Sequence, residues 1–250
     1  MIWLAVTLFG LALGSFANAA IHRIPMGLSL IRPGSRCPQC EHPIAFYDNI
    51  PVLSYLWLRG SCRHCRAPIS IRYPCVEILM ALWTLSLALI WYPQWTWIVF
   101  ASTASVNLLI IGWVDFKTYL IPDSLSLAFF LTALAGAYWN PILRFGIVPW
   151  WGALMAGSLT GFAFSWVLAW IGQKWLQQEA LGGGDIKLLA GIGAWVGLSG
   201  VFHALLIASA AGSLYGLSLI FLKRLKRREP IPFGPFLALG TLFRLCLNFR

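Results

Sequence analysis

The chain has 250 residues, of which 59% are hydrophobic and only 10% charged. Soluble globular domains carry about 25% charged residues, so composition excludes an ordinary soluble domain and leaves one membrane domain with a small polar insert. The net charge of +10 would suggest nucleic acid in a soluble protein. In a membrane protein it reflects the bias of Lys and Arg towards cytoplasmic loops.

An apolar run of about 20 residues spans a hydrocarbon core of roughly 30 Å. Eight apolar segments follow in order, at about 1–21, 75–92, 95–114, 124–139, 148–170, 186–200, 202–222 and 232–248. The only long polar stretch is 22–74. Ala17-Asn18-Ala19 has the small residues of a signal-peptide cleavage site. However, no Lys or Arg precedes the first apolar run, and a signal peptide carries its positive charge in front. A retained helix is the preferred reading. The predicted fold is an all-α polytopic membrane protein of about eight transmembrane helices, with a small cytoplasmic insert after the first. It divides into a first helix at 1–21, an insert at 22–74 and a membrane domain at 75–250.

Placing the N-terminus outside the cell puts 22–74, 115–123, 171–185 and 223–231 in the cytoplasm. Fifteen of the eighteen basic residues then lie on that side, counting Lys187 at a helix edge. This asymmetry obeys the positive-inside rule. The run from Lys223 to Arg228 abuts a membrane helix, so anionic lipid is its expected neighbour, and no nucleic-acid role is assigned.

Within the insert, Cys37-Pro-Gln-Cys40 and Cys62-Arg-His-Cys65 are separated by 21 residues. Two such knuckles supply four thiolates, which suits tetrahedral zinc. Disulfides are disfavoured in the cytoplasm. Four thiolates leave no open coordination position, so the metal is structural. It would staple an insert too small to build its own core. His42 and His64 are read as surface residues.

A carboxylate at membrane depth is costly and is a functional candidate. Asp115 ends the third segment, and Asp185 closes Gly182-Gly183-Gly184-Asp185 before the sixth. The charge-derived topology places both on one membrane face. Two adjacent carboxylates can share a proton, one acting as general base on water and the other polarising the scissile carbonyl. The glycines allow close backbone approach of an extended substrate. The competing reading for a lone Gly-Gly-Gly-Asp is a helix cap, and Asp123 after Ile121-Pro122 fits that reading well. Tryptophans such as Trp91, Trp97 and Trp151 read as interfacial anchors. His203 reads as a core residue. The pairs Gly10/Gly14, Gly157/Gly161, Gly193/Gly197 and Gly212/Gly216 suit close helix packing; oligomeric state does not follow from them.

Several further motifs recur in order along almost the whole chain. They are Gly14-Ser15-Phe16-Ala17-Asn18 with Ile21-His22-Arg23-Ile24-Pro25, the two knuckles, Asp48-Asn49-Ile50-Pro51, Ile71-Arg72-Tyr73-Pro74 before Glu77, Asp115, Gly182-Gly183-Gly184-Asp185, and Ile231-Pro232-Phe233-Gly234-Pro235. Together they resemble the type IV prepilin peptidase family. The resemblance implies an aspartic endopeptidase in the bacterial inner membrane, N-terminus periplasmic. Such an enzyme removes the basic leader from type IV prepilins or type II secretion pseudopilins. Asp115 and Asp185 would be its catalytic pair, with Gly182, Gly183 and Gly184 along the substrate. It also implies N-methylation of the new terminus by S-adenosylmethionine, for which Glu77 is the candidate residue; its alternative is a carboxylate favoured by a helix dipole. Acidic residues such as Glu41, Asp48 and Glu179 could attract the leader. Two other functions remain open: an intramembrane aspartyl protease without methylation, and a zinc-stapled scaffold.

Overall fold

The computed structural model describes the chain except residues 33, 145–147, 178–180, 224–229 and 248–250. Glu179 and most of the basic run, Arg224 to Arg228, therefore lie outside the described residues. Among the described residues all regular structure is helical: α1 (Ile2–Arg23), α2 (Leu53–Trp57), α3 (Arg72–Trp91), α4 (Trp95–Thr118), α5 (Asp123–Gly136), α6 (Trp150–Ile171), α7 (Gly183–Phe221) and α8 (Gly234–Cys246). In lipid a helix satisfies its own backbone polar groups, which is why apolar runs of this length take that form. Among the described residues, five helices are long and apolar enough to cross a membrane: Ile2–Met26, Arg72–Trp91, Trp95–Thr118, Trp150–Trp175 and Gly183–Phe221. Their outer faces carry exposed Leu8, Leu82, Leu159, Leu206 and Leu214, side chains suited to acyl chains.

The difference from eight predicted spans has physical causes. Helices α5 and α8 have only 14 and 13 residues. The sixth and seventh segments run together as α7, whose 39 residues extend about 58 Å at 1.5 Å per residue. The break falls at Gly197, with φ 69° and ψ −177°, a conformation that favours glycine. It lies earlier than the expected boundary near 200–202.

The chain forms two compact units, 1–93 and 94–250. In the first, α1 packs on α3. Gly10 and Gly14 permit the contact, because a Cβ at Gly10 would come within 2.7 Å of the Ala81 Cα and one at Gly14 within 2.5 Å of the Glu77 Cα. In the second, α7 packs on α5, α6 and α8. Gly157 and Gly161 of α6 rest directly on the α7 backbone at Gly193 and Leu189, so these small residues serve packing within the chain. Trp97 and Trp195 are fully buried with ring centroids 5.7 Å apart. The interfacial reading is thus corrected for Trp97 and for buried Trp91, whereas Trp151 is exposed. His203 is also exposed rather than a core residue.

Candidate active site and metal centre

Asp115 sits in the last turn of α4 and is 5% exposed. The helix stops at Tyr119, whose left-handed φ of 56° lets its N–H donate back to the Asp115 carbonyl at 2.8 Å. The Asp115 side chain is fixed from a distant part of the sequence: the Gly234 N–H donates to its Oδ2 at 2.8 Å. Gly234 opens α8, where backbone N–H groups have no partner within the helix and the dipole favours an anion. A Cβ at Gly234 would lie 2.8 Å from that Oδ2, so the position demands glycine. Sequence reasoning singled out the Ile231–Pro235 loop without finding this role. Pro235 was the available signal, since proline in the first turn marks a helix start.

Asp185 occupies the first turn of α7. Its Oδ2 accepts the Gly182 N–H at 3.2 Å, so Asp185 reaches back from the third helical position to Gly182, which takes the cap position expected for the aspartate. Capping uses only one oxygen, however. Among the described residues, Oδ1 is buried without a hydrogen-bond partner. Asp115 and Asp185 lie within electrostatic reach of each other. None of the three preceding glycines uses a positive φ. Gly184 is needed for contact with Ile121, whose Cβ would stand 2.9 Å from an added Cβ, whereas Gly183 has nothing within 4 Å. Asp123 does not cap α5, because Pro122 takes that position and no side-chain cap forms. It pairs with Lys187 at 2.7 Å and so ties the start of α5 to α7.

In the first unit the four cysteines converge. The sulfurs of Cys37, Cys40, Cys62 and Cys65 all lie within 4.8 Å of one another, with Cys37 and Cys65 at 3.8 Å. Zn–S bonds of 2.3 Å in a tetrahedron separate sulfurs by about 3.8 Å, so the residues fit zinc. The knuckles are two copies of one turn. Each begins with a cysteine N–H donating across the turn, Cys37 to His42 at 3.0 Å and Cys62 to Ala67 at 2.8 Å. Each passes through a left-handed residue, Glu41 (φ 55°) or Arg66 (φ 58°). Backbone N–H groups of Cys40 and Gln39 draw the Cys37 thiol down to about 6. Cys65 is lowered by Ala67 but raised more by burial and the three neighbouring thiols, to about 11. Unequal thiols crowded together are what a cation would equalise. His42 and His64 are exposed, as expected, but their ring centroids lie 3.4 Å apart with the planes tilted by 38°. Arg63 of the second knuckle clamps Asp48 at 2.6 and 2.8 Å; that hydrogen bond holds the Asp48 carboxyl below its usual range.

Glu77 is not in the first turn of α3, so the helix-dipole reading fails. It is 6% exposed, and its Oε2 accepts the Val52 N–H at 2.7 Å. Val52 is held at φ 62°, a strained conformation for a β-branched residue.

The description "Bacterial Peptidase A24 N-terminal domain" matches residues 8–91, and "Type IV leader peptidase family" matches 102–217. Proteins named prepilin leader peptidase/N-methyltransferase are similar over most of the chain. The Aeromonas hydrophila relative is 37% identical, covering 94% of this chain and 87% of its own length. The one from Pectobacterium carotovorum subsp. carotovorum is 34% identical, covering 98% and 92%. The Myxococcus xanthus protein is 39% identical, covering 86% and 63%. No solved structure matches the chain.

Proposed function

The chain belongs to the type IV leader peptidase family, and from that membership we propose that it cleaves the leader of prepilins or pseudopilins and methylates the new N-terminus. The observation that supports the proteolytic half is that Asp115 and Asp185 lie within electrostatic reach of each other, one anchored through Oδ2 and the other presenting a buried Oδ1. One carboxylate takes a proton from water, which attacks the scissile carbonyl. The other, protonated, donates a hydrogen bond to the carbonyl oxygen and later serves the leaving amine. No covalent enzyme intermediate is needed. The open space at Gly183 leaves room for an extended peptide beside Gly182, Gly183 and Gly184.

The enzyme resides in the bacterial inner membrane, with its N-terminus periplasmic and the Cys37–Cys65 insert cytoplasmic. The dyad then lies where a basic leader meets the bilayer. Zinc is structural, held by the four cysteines. S-adenosylmethionine supplies the methyl group, and Glu77 serves that reaction. Asp115→Asn and Asp185→Asn should each lower leader cleavage by at least about 10³-fold while zinc content and helix content stay intact. Full cleavage by either variant would refute the dyad. Cleavage without transfer of labelled methyl to the mature pilin would leave the protease reading alone.

A further inference from the structure

Helix α2 is one short turn, Leu53–Trp57, with two unlike faces. Its inner face is committed to the insert. The Ser54 hydroxyl donates to the Tyr47 carbonyl at 3.0 Å and accepts the Ile50 N–H at 2.9 Å. Tyr55 lies against Gly60, where an added Cβ would stand 3.0 Å from the phenol oxygen. The outer face is Leu53, Leu56 and Trp57, at i, i+3 and i+4 and so on one side of the helix. These three are 63%, 66% and 82% exposed. A helix this short has no stability of its own, and holding three large apolar side chains in water would cost more.

The depth of α2 beside α3 identifies what covers that face. Helix α3 has 20 residues, about 30 Å at 1.5 Å per residue, which matches a hydrocarbon core of roughly 30 Å. Glu77 lies one and a half turns inward from Arg72 at the polar end of α3, about 7.5 Å along the axis. Val52, the residue before α2, donates its N–H to the Glu77 Oε2 at 2.7 Å. The chain therefore descends alongside α3 before α2 begins. Just beyond that level α3 itself exposes Ile78, Leu79 and Leu82, side chains suited to lipid. Helices that lie in a membrane interface bury their apolar side about 5–10 Å into the boundary of headgroups and acyl chains, and tryptophan is enriched there. The flanking charge has one sign. Between Asn49 and Arg72 the chain holds Arg59, Arg63 and Arg66 and no Asp or Glu. Arg63 is paired with Asp48, whereas Arg59 and Arg66 are exposed. Basic residues beside an interfacial segment attract anionic lipid.

We propose that α2 is an in-plane membrane anchor. Leu53, Leu56 and Trp57 insert between lipids of the leaflet that α3 enters from the insert, and Arg59 and Arg66 sit among its anionic headgroups. Lipid is the occupant because the face lies level with the membrane-entering turns of α3. The anchor depends on neither activity proposed above. It adds a third attachment to the two ends at α1 and α3, and so holds the metal-binding loops against the membrane surface.

The test is fluorescence quenching of full-length protein reconstituted in vesicles of phosphatidylethanolamine and phosphatidylglycerol. A small fluorescent amino acid replaces Leu53, Leu56 or Trp57 in turn, and Leu82 as the acyl-chain standard. Lipids brominated on the acyl chain should quench the three α2 positions at least about half as strongly as position 82, and aqueous iodide should quench them far less than the free amino acid. Exchanging phosphatidylglycerol for phosphatidylcholine should weaken the bromolipid signal at 57 about twofold or more, and should have no effect once Arg59→Gln and Arg66→Gln are introduced. A signal indifferent to headgroup charge in both proteins would overturn the part assigned to the arginines. Full iodide quenching with no bromolipid effect would overturn the anchor. So would shielding from both quenchers, whether it accompanies dimer formation or follows addition of a prepilin, because a protein would then cover the face. The parent protein gives an independent reading with photoactivatable phosphatidylglycerol, its reactive group near the top of the acyl chain. Crosslinks should include residues 53–57; labelling of 78–82 without them would refute the anchor.

Discussion

Replacing Gly234 by alanine tests the anchoring of Asp115 directly. The substitution keeps the backbone N–H that donates to Oδ2 but adds a methyl group 2.8 Å from that oxygen, 3.1 Å from Cγ and 3.2 Å from Cβ. Ordinary contact begins at 3.4 Å, so the carboxylate or the loop must retreat by about 0.6 Å. All three atoms belong to the Asp115 side chain, so the carboxylate itself is what the added methyl group displaces. A misplacement of about 1 Å costs on the order of 10²-fold in rate, so Gly234→Ala should lower the single-turnover cleavage rate roughly ten- to a hundredfold. Overpacking should cost about 1–3 kcal/mol of stability, leaving a folded protein. The assay is cleavage of a prepilin at saturating enzyme, with Gly34→Ala as the control, since an added Cβ there meets nothing within 4 Å. Cleavage by Gly234→Ala at the parent rate would refute the claim that this close approach sets the Asp115 geometry.

Two other perturbations are informative. Asn140 is 1% exposed, donates to the Trp195 carbonyl at 2.8 Å and accepts the Ile142 N–H at 2.9 Å; Asn140→Leu should cost about 1–3 kcal/mol by stranding buried backbone groups. An unchanged unfolding curve in detergent would count against this bridge. The double variant Cys37→Ser, Cys62→Ser removes one ligand from each knuckle and should lose its zinc by elemental analysis, with a full equivalent retained being the refuting result. In the parent protein, a chelator should strip zinc more readily as pH falls, because ligation needs deprotonated thiols and Cys65 holds its proton up to about 11 without metal. Metal retention independent of pH between 5 and 8, a window of about three proton-concentration decades, would argue against thiolate ligation.

The helical segments were legible because apolar length is a one-dimensional property. The cysteine cluster was legible because its spacing is local. Asp115 and Asp185 stood out because carboxylates are expensive beside apolar runs. Contacts of long sequence separation were not legible. The Gly234 N–H reaches Asp115 across 119 positions, and nothing in the composition of either segment encodes the other. The break in α7 was expected near 200–202 and lies at Gly197, because within a uniformly apolar run hydropathy carries no information about the sign of φ. Asp123 was misread as a cap because Asp before an apolar run is the usual cap signal; Pro122 holds that place, and Lys187 supplies the partner. Glu77 stood out as an acid near a membrane edge, but its hydrogen bond to Val52 depends on a strained loop turn with no sequence signature.

The break at Gly197 also makes α7 a lever. Asp185 lies twelve residues before it, about 18 Å along a helix rising 1.5 Å per residue. A rotation of about 5° at that fulcrum would swing the carboxylate by about 1.5 Å, as far as a whole residue's rise. Catalytic alignment at one end of the rod is therefore a question of stiffness at the other. The fulcrum is braced by Gly157 pressed against its backbone and by the Asn140 amide on the carbonyl two residues before it. Loosening either brace should broaden the distribution of separations between the two aspartates before it unfolds anything.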